Sequence, residues 1–224
     1  VSAPYLTQSR VQRLGRHLSD RDWAVLTTLS RVRVASASQL ERLHFAGVST
    51  RQARAALASL VARRLVARLP RQVGGVRAGS AGYVYVLDVG GQRLTRPASG
   101  RVHRPWAVGT LFLAHSLAVT ELLVGLAEAT RAAGAAVALL DFQTEPSCWR
   151  SFTGPGGGRA VLKPDAEAVM QVGRFEDRWF LEVDRATESR PTLDRKLRRL
   201  CRVLADRSRA GRDGGLSAGA VDRA

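Results

Sequence analysis

Apolar positions in the first part of the chain recur with helical spacing and then alternate. Ser19 precedes DRDWAVLTTLSRVRV, where Trp23, Leu26, Leu29 and Val32 lie three apart, close to the period of one helix face. Ser19 and Asp22 have capping-box spacing, in which a hydroxyl and a carboxylate each accept a backbone N–H of the helix start. ASASQLERLHF repeats that spacing at Ser38 and Glu41 and predicts a short helix ending near Phe45. AGVS turns the chain, and Ser49 with Gln52 caps a third helix, TRQARAALASLVARRL. Its inward stripe is Ala53, Leu57, Leu60 and Val61; Arg51, Arg54 and Ala58 face away, flanked by Gln52 and Arg63. LVARLP and YVYVLDV are strand-like runs on either side of the Gly-rich RQVGGVRAGSAG, which predicts a β-hairpin with Arg71 and Arg77 at its tip.

The pattern then changes. TRPASGRVHRP has Pro, Gly and Ser and little apolar content, and reads as a linker over residues 95–105. Trp106 to Ala133 is one long helical pattern, with Leu111, His115, Ala118, Val119, Leu122 and Leu126 on one face and Gly134 placed to end it. AAVALLDFQ is a buried-strand run, followed by the loop TEPSCWRSFTGPGGGR. In VLKPDAEAVMQV, Asp165, Glu167, Val169 and Gln171 alternate with Ala166, Ala168, Met170 and Val172. GRFEDR reads as a turn. In WFLEVDR, Trp179, Leu181 and Val183 face one way and Phe180, Glu182 and Asp184 the other. PTLDRKLRRLCRVLAD predicts a last helix carrying Lys196, Arg199 and Arg202 around a leucine stripe. The expected class is α/β of the α+β type. The expected division is a basic tail (1–18), a helical domain with its hairpin (19–94), the linker, a strand-containing domain (106–205) and a disordered tail (206–224) that leaves the second domain's sheet truncated.

Charge sharpens this picture. The 224 residues carry a net charge of +16, and the chain's pI is about 11.5. Residues 1–105 hold 18 basic and 4 acidic residues, whereas 106–224 hold 17 and 15. Arginine bias in a GC-rich genome accounts for the scarcity of lysine (only Lys163 and Lys196), but not for the scarcity of acids in the first part alone. So basic a segment suits a polyanion, nucleic acid above all. Cys148 and Cys201 are too few for a disulfide framework or zinc cluster. No signal peptide is evident. The longest apolar stretch contains His115, Ser116, Thr120 and Glu121, so neither a membrane span nor a membrane partner is expected, and the cytoplasm is the expected location.

Three capped helices with a Gly-containing turn before the third match a helix-turn-helix, and the hairpin after them makes it a winged helix. Arg51, Gln52 and Arg54, early in the third helix, are expected at base edges or phosphates, with Arg71 and Arg77 on phosphate or in the minor groove. The alternative is a winged helix used for protein contacts, with solvated arginines. In the second half, alternation places Glu182 and Asp184 on one strand face, and pairing of the two strands brings Asp165 to the same place. Converging carboxylates need a cation, a shared proton or an arginine. Hard oxygen ligands favour Mg²⁺ or Mn²⁺, which could generate hydroxide for phosphodiester hydrolysis. The alternative is a pair of hairpin charges matched by Arg178 and Arg185. His115 is either a core histidine bonded to a carbonyl or carboxylate, or a side chain pointing across to the acids. Glu121 is either a surface charge or a helical acid added to a metal site.

The order helix–strand–strand–strand–helix, with PD at 164–165 and an acid seventeen positions on at Glu182, resembles the restriction-endonuclease-like PD-(D/E)XK core. More specifically, the arginine-rich first part, HSLAVTE at 115–121, KPDA at 163–166, LEVDRATES at 181–189 and RKLRRL at 195–200 resemble the replication-relaxation family of actinobacterial plasmids and integrated elements. The resemblance covers about residues 19–204. It implies a DNA-binding protein acting in replication, relaxation or transfer of mobile elements. Its partners would be double-stranded DNA and plasmid replication or relaxase proteins, with homodimerisation as an option. Asp165 and Glu182 match the metal-binding acids, with the Val183 carbonyl as a further ligand. Asp184 occupies the usual lysine slot, where it would be another ligand, and Lys196 could supply the displaced positive charge. Glu188 would be an outer acid. Two alternatives follow: a metal-dependent nuclease or nickase, and a winged-helix transcriptional regulator.

Overall fold

The computed structural model describes residues 6–69, 82–96, 100–103, 105, 109–153 and 158–184. The fold is α+β. Its elements are α1 (Gln8–Arg16), α2 (Asp20–Val32), β1 (Ala35–Ser36), α3 (Ala37–His44), α4 (Thr50–Ala62), β2 (Val66–Arg68), β3 (Val84–Leu87), α5 (Val89–Thr95), α6 (Thr110–Ala133), β4 (Val137–Thr144), β5 (Arg150–Thr153), β6 (Arg159–Leu162), β7 (Ala166–Val172) and β8 (Phe175–Leu181). The chain forms two compact units: Val1–Thr144 with Asp165–Val183, and Glu145–Pro164 with Asp184–Ala224.

Capping chemistry sets the helix starts of the first unit. Ser19, Ser36 and Ser49 each accept the N–H three residues on, and Asp22, Gln39 and Gln52 return the bond to the cap's own N–H. The second cap is therefore Ser36 and not Ser38. The S-x-S repeat offers both, and Ser36 is chosen because it ends the short β1, which pairs with β3 through Ala35 opposite Tyr85. The sheet runs β1–β3–β2, all antiparallel. The expected inward stripe of α4 is realised at Ala53, Leu57 and Leu60, all essentially inaccessible, with Val61 packed at the edge.

Two helices differ from the sequence expectation. The basic tail contains α1, capped by Thr7, with Val11 fully buried. Its arginine density masks one apolar anchor. α5 begins Val-Gly-Gly, which reads as loop, yet glycine is what the packing requires. A Cβ on Gly91 would lie 2.1 Å from the Leu65 carbonyl oxygen, and one on Gly90 2.7 Å from that of Arg64. The helix's first turn rests directly on that backbone.

α6 ends as expected at Gly134, at φ 65°. Its buried face is the expected one only in part: Val119 and Leu126 join the core. Leu111 and Leu122 are exposed, while Leu113, Ser116, Val119, Thr120, Leu123 and Val124 are buried. The helix is apolar nearly all round, so apolar spacing does not select a face. The polar groups do: the Thr120 hydroxyl donates to the Val34 carbonyl at 2.7 Å, a bond available only on the inward side. By length and composition alone Leu111–Ala136 could also cross a membrane. In this fold Val119, Leu123 and Leu126 join the core.

The second sheet of this unit is antiparallel, ordered β4–β7–β8, with Phe142 opposite Ala168 and Ala166 opposite Leu181. Parity assigns the two faces. Phe142, Ala166, Ala168 and Leu181 share one face and belong to the core built on α2, α3 and α4, together with Leu26, Leu29, Leu40 and Leu57. Thus one core runs across the expected 95–105 linker. Thr144 fastens the same junction, donating to the Arg31 carbonyl at 2.6 Å. The predicted GRFEDR turn is shorter than its polarity suggests: only Gly173 and Arg174 turn, Gly173 at φ 57°, and Phe175 already pairs with Val172. In the second unit, β5, in the segment expected to be a loop, pairs antiparallel with β6, which begins where that segment ends. The tip of the β2–β3 connection, with Arg71 and Arg77, lies outside the described residues, as do Glu188, Lys196 and the expected last helix and tail.

Candidate functional site

Two groups of charged residues stand out in the first unit. The first lies on α4. Arg51, Gln52 and Arg54 are all exposed in its opening turns, and TRQARAALASLVA contains no acid. Gln52 has a second duty. Its Oε1 accepts from the Ser49 hydroxyl at 2.8 Å and from the Ser49 N–H at 3.3 Å, so its amide N–H groups are the part that faces outward. α3 is held to α6 by an arginine clamp. Arg42 of α3 gives Glu128 a two-pronged contact, Nε to Oε1 at 2.8 Å and Nη2 to Oε2 at 2.5 Å, and reaches Glu121 with Nη1 at 2.5 Å. Those bonds hold the Glu128 carboxyl below its usual range and raise the Arg42 guanidinium further. Gln39 Nε2 also donates to Glu121, at 2.9 Å. Glu121 is therefore a partner of Arg42 and Gln39, an inter-helix contact and not an outer acid for the sheet.

The second group lies at the polar face of the β4–β7–β8 sheet. Asp165 is the residue before β7. Its N–H donates to the Leu181 carbonyl at 3.1 Å, and its Oδ2 accepts the Val183 N–H at 2.7 Å. Its Oδ1 lies 3.2 Å from Nε2 of His115 on α6. The two readings of His115 thus coincide: it is a part-buried histidine, and its partner is the foremost acid of the motif. Glu182 is half-buried one residue beyond β8. Asp184, in the other unit, is exposed.

Sequence reading missed the tightest ion pair on this face. Glu167 has 1% of its side chain exposed and meets Arg178 Nη1 at 2.5 Å. They are not directly opposite: Glu167 faces Phe180, and Arg178 faces Val169, one diagonal step along β8. The Glu167 hydrogen bond and then its charge raise the Arg178 guanidinium further, against the effect of burial. Same-face parity of Glu167 with Asp165 was the available signal. It was obscured because Arg178 reads as part of a turn. Farther along, Gln143 Nε2 donates to Asp141 Oδ2 at 2.8 Å, and Arg31 lies 3.7 Å from Asp141 Oδ1.

Asp165, Glu167 and Asp141 are met here by imidazole, arginine, side-chain amide or backbone N–H. Among the described residues no group of three or more His, Cys, Asp or Glu side chains could hold a metal ion.

The model of the family described as replication-relaxation matches residues 26–217, most of the chain. The chain belongs to the replication-relaxation family. No curated protein matches it. No solved structure matches it either. In this replication-relaxation protein the matched span includes both charged groups, the α4 arginines and the Asp165–His115 contact.

Proposed function

We propose that this chain binds duplex DNA in the replication, relaxation or transfer of a plasmid or integrated element. In this reading α2, α3 and α4 with the β2–β3 hairpin are a winged helix, and α4 is the element that enters the major groove. The observation that carries it is the opening of α4: Arg51 and Arg54 exposed beside Gln52 on a helix without acids, in a segment with strong positive charge. A second basic surface supports it. Arg10, Arg13, Leu14 and His17 of α1 and its end line a cleft of about 390 Å³ suited to a phosphate backbone. Replication or relaxase proteins are the proposed partners and the cytoplasm the proposed location. The test is fluorescence anisotropy with labelled duplex. Binding that weakens steeply with salt supports the reading, and absent or salt-insensitive binding overturns it.

A second reading is a metal-dependent nickase using Asp165 and Glu182, with Asp184 as a further ligand and Lys196 as the positive charge. It is favoured by the pinning of Asp165 against residues 181–183, which fixes one acid beside the other's backbone. It requires Mg²⁺- or Mn²⁺-dependent nicking of supercoiled plasmid that Asp165→Ala and Glu182→Ala each abolish. Metal-independent plasmid integrity in the wild type would leave the binding reading alone. A regulator would instead protect a defined operator and be indifferent to both substitutions.

A further inference from the structure

The β5–β6 hairpin has an outer face whose chemistry the winged-helix reading does not use. Its register pairs Arg150 with Leu162, Ser151 with Val161, Phe152 with Ala160 and Thr153 with Arg159. Cross-strand partners share a face and successive residues alternate. One face is therefore Arg150, Phe152, Ala160 and Leu162, with Phe152 and Ala160 part-buried and Leu162 buried. The other carries Ser151, Thr153, Val161 and Arg159, and continuing the register adds Trp149 and Lys163. Ser151, Thr153, Arg159, Lys163 and Trp149 are all exposed. The alternation of exposure along β5 follows this parity.

Three features of this face point the same way. Trp149 is 36% exposed, and Lys163 Nζ sits over its ring, 4.5 Å from the centroid. Arg159 is held across the hairpin by two bonds to the Ser151 hydroxyl, at 3.3 and 2.9 Å. Of the three basic residues in the acid-free segment Trp149–Lys163, Arg159 and Lys163 lie on this face and Arg150 on the other. The base of the hairpin is fixed by buried Cys148, whose Sγ contacts the Pro164 carbonyl at 3.1 Å. An aromatic ring flanked by cations and hydroxyls on a flat strand face is what an unpaired base and its neighbouring phosphates require. Lys163 follows the last residue of β6 and lies four residues after Arg159, about 13 Å at the usual rise. That spans about two phosphate steps of an extended single strand. A duplex keeps its bases stacked and would leave the ring unused.

We infer that the outer face of this hairpin binds single-stranded DNA, with Trp149 stacking on an unpaired base and Arg159 and Lys163 on phosphates about two steps apart. The proposal rests on the reading that this chain handles DNA, and gives it a second contact of different strandedness from that of α4. The test measures anisotropy of the full chain with three labelled probes: poly(dT), an abasic sugar-phosphate strand and a duplex. Trp149→Ala is expected to lower poly(dT) affinity by about tenfold, while duplex and abasic-strand affinities change less than about twofold. Trp149→Phe, which keeps a ring, should stay within about threefold of wild type on poly(dT). An unchanged poly(dT) affinity in Trp149→Ala, or an equal loss on all three probes, overturns the proposal. Wild-type binding of duplex without poly(dT) sinks the hairpin site and leaves the winged-helix reading standing. Binding of poly(dT) without duplex supports the hairpin and sinks the winged-helix reading.

Discussion

The opening of α4 and the polar face of the β4–β7–β8 sheet are both rich in charge, but they use it in opposite ways. On α4 the arginines are exposed and their helix offers no acid. On the sheet Glu167 is enclosed by Arg178, Asp165 by His115 and the Val183 N–H, and Asp141 by Gln143 and Arg31. A buried charge must be matched where it sits, or its desolvation is uncompensated. An exposed one stays hydrated until a partner arrives, and contributes little to folding meanwhile. The difference separates charges that hold this protein together from charges suited to meeting a polyanion.

The comparison breaks most visibly at Arg178. Arg178→Ala would remove the arginine bond from enclosed Glu167, and chemical denaturation should show a loss of about 2 kcal/mol. A loss under about 0.5 kcal/mol would mean that the sheet's charges are as dispensable as surface ones. The converse holds on α4. Arg51→Ala with Arg54→Ala should leave the denaturation midpoint unchanged yet lower duplex affinity by about tenfold to a hundredfold in anisotropy titrations.

A third prediction asks whether the helical region also keeps a group enclosed. His44 Nε2 lies 2.9 Å from the Thr28 hydroxyl, and burial, then the Arg131 charge, lowers its pKa to about 4. The folded protein therefore holds His44 neutral where the unfolded chain, titrating near the ordinary histidine value of 6.5, already binds a proton. Its contribution is full above the unfolded value and is lost as pH falls from there towards the folded value. Between pH 7 and pH 5 stability should fall by about 2 kcal/mol, and His44→Gln should flatten that slope in pH-dependent denaturation. The smallest effect is expected at Asp165→Asn. An amide can still accept the Val183 N–H and meet His115, so stability should change by less than about 1 kcal/mol. Duplex affinity should not change. A drop in duplex affinity would connect the two regions functionally.

Much of the helical part was legible because its signals are local. Serine caps, a three-residue apolar spacing and an alanine-leucine stripe are read within one turn, and the α4 residues follow directly from them. What was not legible depends on distant packing. The buried face of α6 is set by the Thr120 bond to Val34, and the α5 glycines by the backbone of residues 64 and 65. The β5–β6 hairpin hid behind a Gly-Pro-Gly-rich centre, although its flanks alternate. At the sheet, KPDA and LEV showed which strands come together. They did not show that Asp165 would spend its oxygens on Val183 and His115, because neither partner is fixed by spacing within the motif.

The salt dependence of duplex binding tests the central claim most directly. For wild type, the logarithm of the affinity should fall linearly with the logarithm of salt concentration. In the Arg51→Ala, Arg54→Ala variant the slope should become shallower by about 1.8, the share of two released phosphate contacts. An identical slope and affinity in the two proteins would contradict the placing of these arginines at the DNA, and binding indifferent to salt would contradict the account as a whole.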